Sequence, residues 1–122
     1  MTIPAPAPAV RRFTVAEANR TLPLVRMIVQ DIVELYTDLH RRRERLVALR
    51  NRQGQAQRGP SDPYEAEVIQ MESELESDVE RLQRYVDELK QIGVELKDPL
   101  AGLVDFRTEF EGRDAWLCWK LG

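Results

Sequence analysis

The sequence predicts a mainly α protein with a small β element, built as a long antiparallel helical hairpin followed by a C-terminal antiparallel β-hairpin. Three observations predict it. Apolar residues recur at steps of three and four from Val25 to Leu49 and again from Val68 to Ile92. A polar stretch carrying Gly54, Gly59 and Pro60 separates the two stripes. After Gly93 the period changes from helical to alternating, with turn residues between extended runs.

At 122 residues the chain has the size of one domain, and 43% hydrophobic content is enough for a core. Residues 1–11 begin with alternating Pro and Ala, which favours an extended, disordered tail with nothing to bury. The ordered domain is expected over 12–122, with the helical part at about 14–92 and the β region at about 94–121.

Thr14 with Glu17 three residues on forms a capping box, in which hydroxyl and carboxylate satisfy each other's free backbone amides. Pro23 lacks an amide and crowds the carbonyl four residues back, so a short helix over 15–21, a bend, and a long helix from Pro23 are expected. That helix carries Val25, Ile28, Val29, Ile32, Leu35, Tyr36, Leu39, Leu46 and Leu49 as a stripe and stops near Asn51. The second helix starts at Asp62-Pro63 with Glu65 closing a second capping box. Its seam of Val68, Met71, Leu75, Asp78, Leu82, Tyr85, Leu89 and Ile92 is a coiled-coil heptad pattern with one polar member. Gly93 then ends it. A helix over 63–92 is a rod of about 45 Å, which must lie along the first helix, along a partner chain, or both.

In the tail, Val94 to Lys97 alternates, Asp98-Pro99 and Gly102 turn, and Leu103–Phe110 and Ala115–Leu121 read as two strands. One face would carry Val104, Phe106, Ala115, Leu117, Trp119 and Leu121 and lie on the helices. The other would carry Leu103, Asp105, Trp116 and Cys118, which is apolar for a solvated face.

Four pieces of the chain resemble one known family. They are Phe13-Thr14-Val15 with Glu17-Ala18-Asn19 and Leu22-Pro23-Leu24-Val25; Ile92-Gly93-Val94-Glu95-Leu96-Lys97-Asp98; Gly102-Leu103-Val104-Asp105-Phe106; and Leu117-Cys118-Trp119-Lys120-Leu121-Gly122. Together they resemble a bacterial family catalogued as a domain of unknown function, number 2203, over nearly all of the ordered chain. The resemblance implies no particular activity. It also implies a further segment with Trp-His and glycines after the Leu-Gly pair, outside this sequence.

Composition excludes several function classes. One cysteine, Cys118, and one histidine, His40, cannot form a disulfide framework or a multi-ligand zinc site within one chain. No apolar run reaches the ~20 residues of a membrane span, and the N-terminus lacks the basic and apolar regions of a secretory signal. A cytoplasmic protein is expected. The net charge of −3 argues against a dedicated nucleic-acid binder.

The basic run Arg41-Arg42-Arg43-Glu44-Arg45, with Arg50, Arg52 and Arg58, reads either as an anion-binding patch or as the partner of the acidic second helix (Glu65, Glu67, Glu72, Glu74, Glu76, Glu80). Internal pairing is expected. Antiparallel alignment through a 51–61 loop sets Asp78 opposite Tyr36, whose hydroxyl it would accept from, and Arg43 opposite Gln70. Asp31, Glu34 and Asp38 share one helical face, but bundle metal sites add Glu-x-x-His pairs that this chain lacks, so a solvated face is expected. His40 reads as a surface residue that meets Glu74.

Two functional readings follow. The first is a non-enzymatic interaction and oligomerisation module working as a homodimer, with Leu103, Trp116 and Cys118 at the interface. The second is a small-ligand or metal-binding protein, conceivably an enzyme, in which the sheet folds back on the helical entrance and Glu17, Asn19, Lys97 and Asp105 converge. Cys118 has no base nearby in sequence to activate it as a nucleophile. No catalytic residue, resident metal or cofactor is implied.

Overall fold

The computed structural model describes residues 11–55 and 63–122. The elements are α1 (Val15–Gln55), α2 (Pro63–Ile92), β1 (Val94–Asp98), β2 (Leu103–Phe110) and β3 (Arg113–Lys120). The two helices lie antiparallel, and the strands form one antiparallel sheet of order β1-β2-β3. Mainly α with a small β element is therefore correct, with β1 added to the expected hairpin as a third strand. The Pro/Ala stretch, Arg58, Gly59, Pro60 and the Asp62 cap lie outside the described residues, as does the tail but for Arg11, whereas Gly54, expected in the loop, falls in the last turn of α1. Arg11 is held in place: its guanidinium donates to the Ile92 carbonyl at the end of α2 (2.9 Å) and lies 4.3 Å from the Phe13 ring centroid.

The separate helix over 15–21 is not found. α1 is one 41-residue helix with Pro23 inside it, about 60 Å long at 1.5 Å per residue. Pro23 is exposed, and so is Asn19, whose carbonyl loses its amide partner to the proline. On the opposite side Ala18, Leu22 and Val25 all join the same core, which holds the helix together across the proline. Thr14 caps α1 as expected, with the Glu17 amide donating to its hydroxyl at 3.1 Å, but the Glu17 carboxylate accepts from that same hydroxyl (3.1 Å) in place of the expected Thr14 amide.

α1 also runs four residues past Asn51, to Gln55. This moves the turn and shifts the helix pairing by about one turn. Asp78 consequently takes Arg42, at 2.7 Å, as its partner across the hairpin in place of the expected Tyr36. Tyr36 and Arg43 line one groove with Leu75, Val79 and Leu82, and Gln70 is not among its lining residues. Arg50 pairs with Glu72 across the hairpin. His40 pairs with Glu44 on its own helix (3.3 Å) and Glu74 with Gln70 (3.2 Å), so the expected His40–Glu74 contact is absent.

The core sits where the sheet covers the hairpin. Val25, Val29 and Ile32 of α1, Leu89 of α2, Val94 of β1 and Val104 and Phe106 of β2 are buried together. Phe13 closes one end: its ring meets Phe106 edge-on (centroids 5.1 Å apart, 87°), and its amide donates to the Arg107 carbonyl at 2.7 Å. Gly102 lies against α1 with φ +70°; a Cβ there would stand 2.7 Å from Leu121 Cβ and 3.1 Å from Val29 and Val33. The β2–β3 turn is tighter than the four residues expected. Only Glu111 and Gly112 intervene, both at positive φ (51° and 76°), as a two-residue turn of type I′ requires. Val104 opposes Trp119, Phe106 opposes Leu117 and Thr108 opposes Ala115, which puts the expected apolar set on the face toward the helices.

Candidate functional site

Alternation in the strands puts a second set of side chains on the face away from the helices. Glu95 opposes Asp105, Asp105 opposes Cys118, and Arg107 opposes Trp116. A register shift in β1 between Leu96 and Asp98 leaves Lys97 unpaired in the ladder, and its ammonium reaches over the neighbouring strand. Lys97 Nζ stands 3.8 Å from both Asp105 Oδ2 and Glu95 Oε1.

Asp105 is the centre of this cluster. It lies mid-strand in the central strand and is only 7% exposed, an expensive position for a lone carboxylate. Two neighbours compensate it. The Cys118 thiol donates to Oδ1 at 2.8 Å, and Lys97 lies on the other oxygen. The hydrogen bond to Asp105, burial and the charge of Asp105 each push the Cys118 thiol above its ordinary pKa, against a smaller opposing pull from Lys97. The thiol therefore stays protonated at neutral pH, the opposite of what a nucleophile needs.

Trp116 is 43% exposed and held by two cations, with Arg107 Cζ at 5.0 Å and Lys97 Nζ at 5.4 Å from its ring. The buried Arg107 Nε has no hydrogen-bond partner, so the ring supplies its electrostatic compensation. Glu95 and Asp105 balance Lys97 and Arg107, giving a charge-neutral patch around a fixed aromatic ring. Such a patch is suited to recognition. Among the described residues no group of three or more His, Cys, Asp or Glu is placed to hold a metal ion, and no helix is long and apolar enough to cross a membrane.

The structure brings together Lys97, Asp105, Trp116 and Cys118, with Leu103 partly buried on the same face. It does not bring Glu17 and Asn19 to them. Those two sit at the start of α1, which packs on the opposite face of the sheet; the Glu17 carboxylate accepts from the Thr14 hydroxyl and Asn19 is exposed. Asp98, whose Oδ1 accepts from the Leu100 and Ala101 amides, is occupied with its turn. Arg107 and Glu95 were missed by the sequence reading. The signal was present, since both fall on the same alternation as Asp105.

A second opening lies farther along the hairpin, beyond the sheet. The row Val25, Val29, Ile32 that the sheet covers continues as Tyr36, Leu39 and Arg43, and a groove of about 190 Å³ opens there between Tyr36, His40, Arg43, Leu75 and Val79.

These features define a helical-hairpin protein capped at one end by a small antiparallel sheet whose outer face carries a polar–aromatic cluster. The chain belongs to the DUF2203 family, described as an uncharacterized conserved protein, whose family model matches residues 11–122. No curated protein and no solved structure matches the chain.

Proposed function

We propose that the chain is a non-enzymatic interaction and oligomerisation module that works as a cytoplasmic homodimer, with Leu103, Trp116 and Cys118 on its contact face and the far part of the hairpin as a two-stranded antiparallel coiled coil. The supporting observation is Trp116. A large aromatic side chain, half exposed and held rigid by two cations, has the character of an interface anchor, because little conformational entropy remains to be lost when a partner covers it. The thiol beside it is protonated and hydrogen-bonded, consistent with a contact residue and against a nucleophile. The pairing of Arg42 and Arg50 with carboxylates of α2 weighs against a nucleic-acid surface on the basic run. Sedimentation and light scattering at micromolar concentration test the reading. The expected result is two copies, with association weakened by Trp116→Ala; a stable monomer overturns it.

The runner-up reading, a small-ligand site, keeps only Lys97 and Asp105, which lie 3.8 Å apart on a buried carboxylate. A thermal-shift screen over divalent metals, nucleotides and phosphosugars separates the two. A ligand at 100 times its Kd adds about 2.7 kcal/mol to stability and raises the melting point.

A further inference from the structure

The sheet has two edges, and they are built differently. β1 is five residues long, interrupted by the register shift at Leu96/Asp98, and carries Lys97 at the irregularity. Shortness, a bulge and a lysine are the devices by which proteins keep an edge from pairing. β3 is neither short nor bulged, and its one lysine, Lys120, stands at its last position. It is eight residues long, holds an unbroken register with β2 from Arg113 to Lys120, and contains no proline. Among the described residues no strand pairs with its outer side. Its row of backbone donors and acceptors on that side is a template for another strand.

We propose that β3 pairs antiparallel with β3 of a second copy, across a two-fold axis at Leu117, to make one six-stranded sheet. This rests on the homodimer reading and names its seam. The register follows from charge. In a self-paired antiparallel strand, residues directly opposite share a face, so the axis must pass through a residue. Centred on Leu117, Asp114 lies opposite Lys120 of the second copy at both ends, and Trp116 lies beside the second copy's Cys118. Centred on Trp116, Asp114 meets Cys118 and Arg113 meets Trp119. Centred on Cys118, Lys120 meets Trp116. Only the Leu117 register sets opposite charges face to face, twice. Both side chains are available: Lys120 is exposed, and Asp114, although 2.8 Å from Arg12, keeps half its side-chain surface open.

The test is a charge exchange. Lys120→Asp places Asp opposite Asp in a homodimer, and Asp114→Lys places Lys opposite Lys. Each variant alone should dissociate about tenfold more readily than the parent in sedimentation, from two reversed cross-strand pairs. Mixed in equal amounts they restore both opposite-charge pairs, and the mixed dimer should recover the parent's affinity. Hydrogen exchange on the unaltered chain is a second measurement: β3 amides should gain protection as concentration rises through the dissociation constant. If the parent associates but the mixture is no tighter than either variant, or if β3 protection ignores concentration, the edge pairing is wrong and the homodimer survives through another surface. If the parent is a monomer at micromolar concentration, both fall.

Discussion

Arg42 of α1 bridges two carboxylates, donating to Asp78 Oδ2 of α2 at 2.7 Å and to Asp38 Oδ2 one turn back on its own helix at 3.1 Å. Arg81 adds a longer contact to Asp78 at 3.5 Å. Asp78 is the single polar member of the α2 seam, and this partner is what lets it sit there. Hydrogen bonding to Asp78, then to Asp38, raises the Arg42 pKa against the cost of burial.

A double-mutant cycle of Arg42→Ala and Asp78→Ala should give a coupling energy of about 1 kcal/mol in urea denaturation, since the pair is three-quarters covered yet not dry. Additive effects of the two substitutions would show that the contact does not align the hairpin.

The same cluster predicts an acid dependence. Hydrogen bonds from Arg41 and then Arg42 hold Asp38 below its ordinary value of 3.8. A carboxylate lowered in the folded state adds stability that is fully present above the unfolded pKa and is lost as pH falls through the folded one. The stability difference between parent and Asp38→Asn should therefore be constant from neutral pH down to about 5, then shrink toward lower pH. A difference that persists unchanged in strong acid would contradict the assignment.

Phe13 is fully buried against Phe106, although it precedes the first helix. Phe13→Ala should lower unfolding free energy by about 3–5 kcal/mol, a large share of a domain's stability. Chemical denaturation measures it, and a loss below ~1 kcal/mol would show that the N-terminal segment is not part of the core.

Replacing Asp105 by Asn removes the carboxylate that the Cys118 thiol donates to. The thiol pKa should fall toward its ordinary value, because the largest raising cause and the raising charge of Asp105 are gone. Alkylation followed across the alkaline range should show its midpoint at lower pH in Asp105→Asn than in the parent. An unmoved midpoint would mean that the thiol does not bond Asp105 in solution.

Local chemistry made much of this fold legible. The Thr14 cap of α1, the apolar stripe of α2, the stop at Gly93 and the alternation of β2 and β3 depend on residues within a few positions of one another, so a linear reading reaches them. The outer-face neighbours Asp105, Trp116 and Cys118 were legible for the same reason, since a two-residue period assigns faces before any pairing is known.

What the sequence by itself determined is thus the type and extent of most elements and which side chains share a face. Tertiary structure decided the rest. Whether Pro23 breaks α1 depended on which side of the helix faced water and on Ala18 and Val25 being held in one core. The partner of Asp78 depended on where α1 ends, because four more residues of helix slide one rod past the other by about a turn. Glu17 and Asn19 were separated from Lys97 and Asp105 by the sheet itself, which lies with its apolar face on the helices. Relations of this kind are set by how whole faces pack, and packing couples residues far apart in the chain, which no local pattern records.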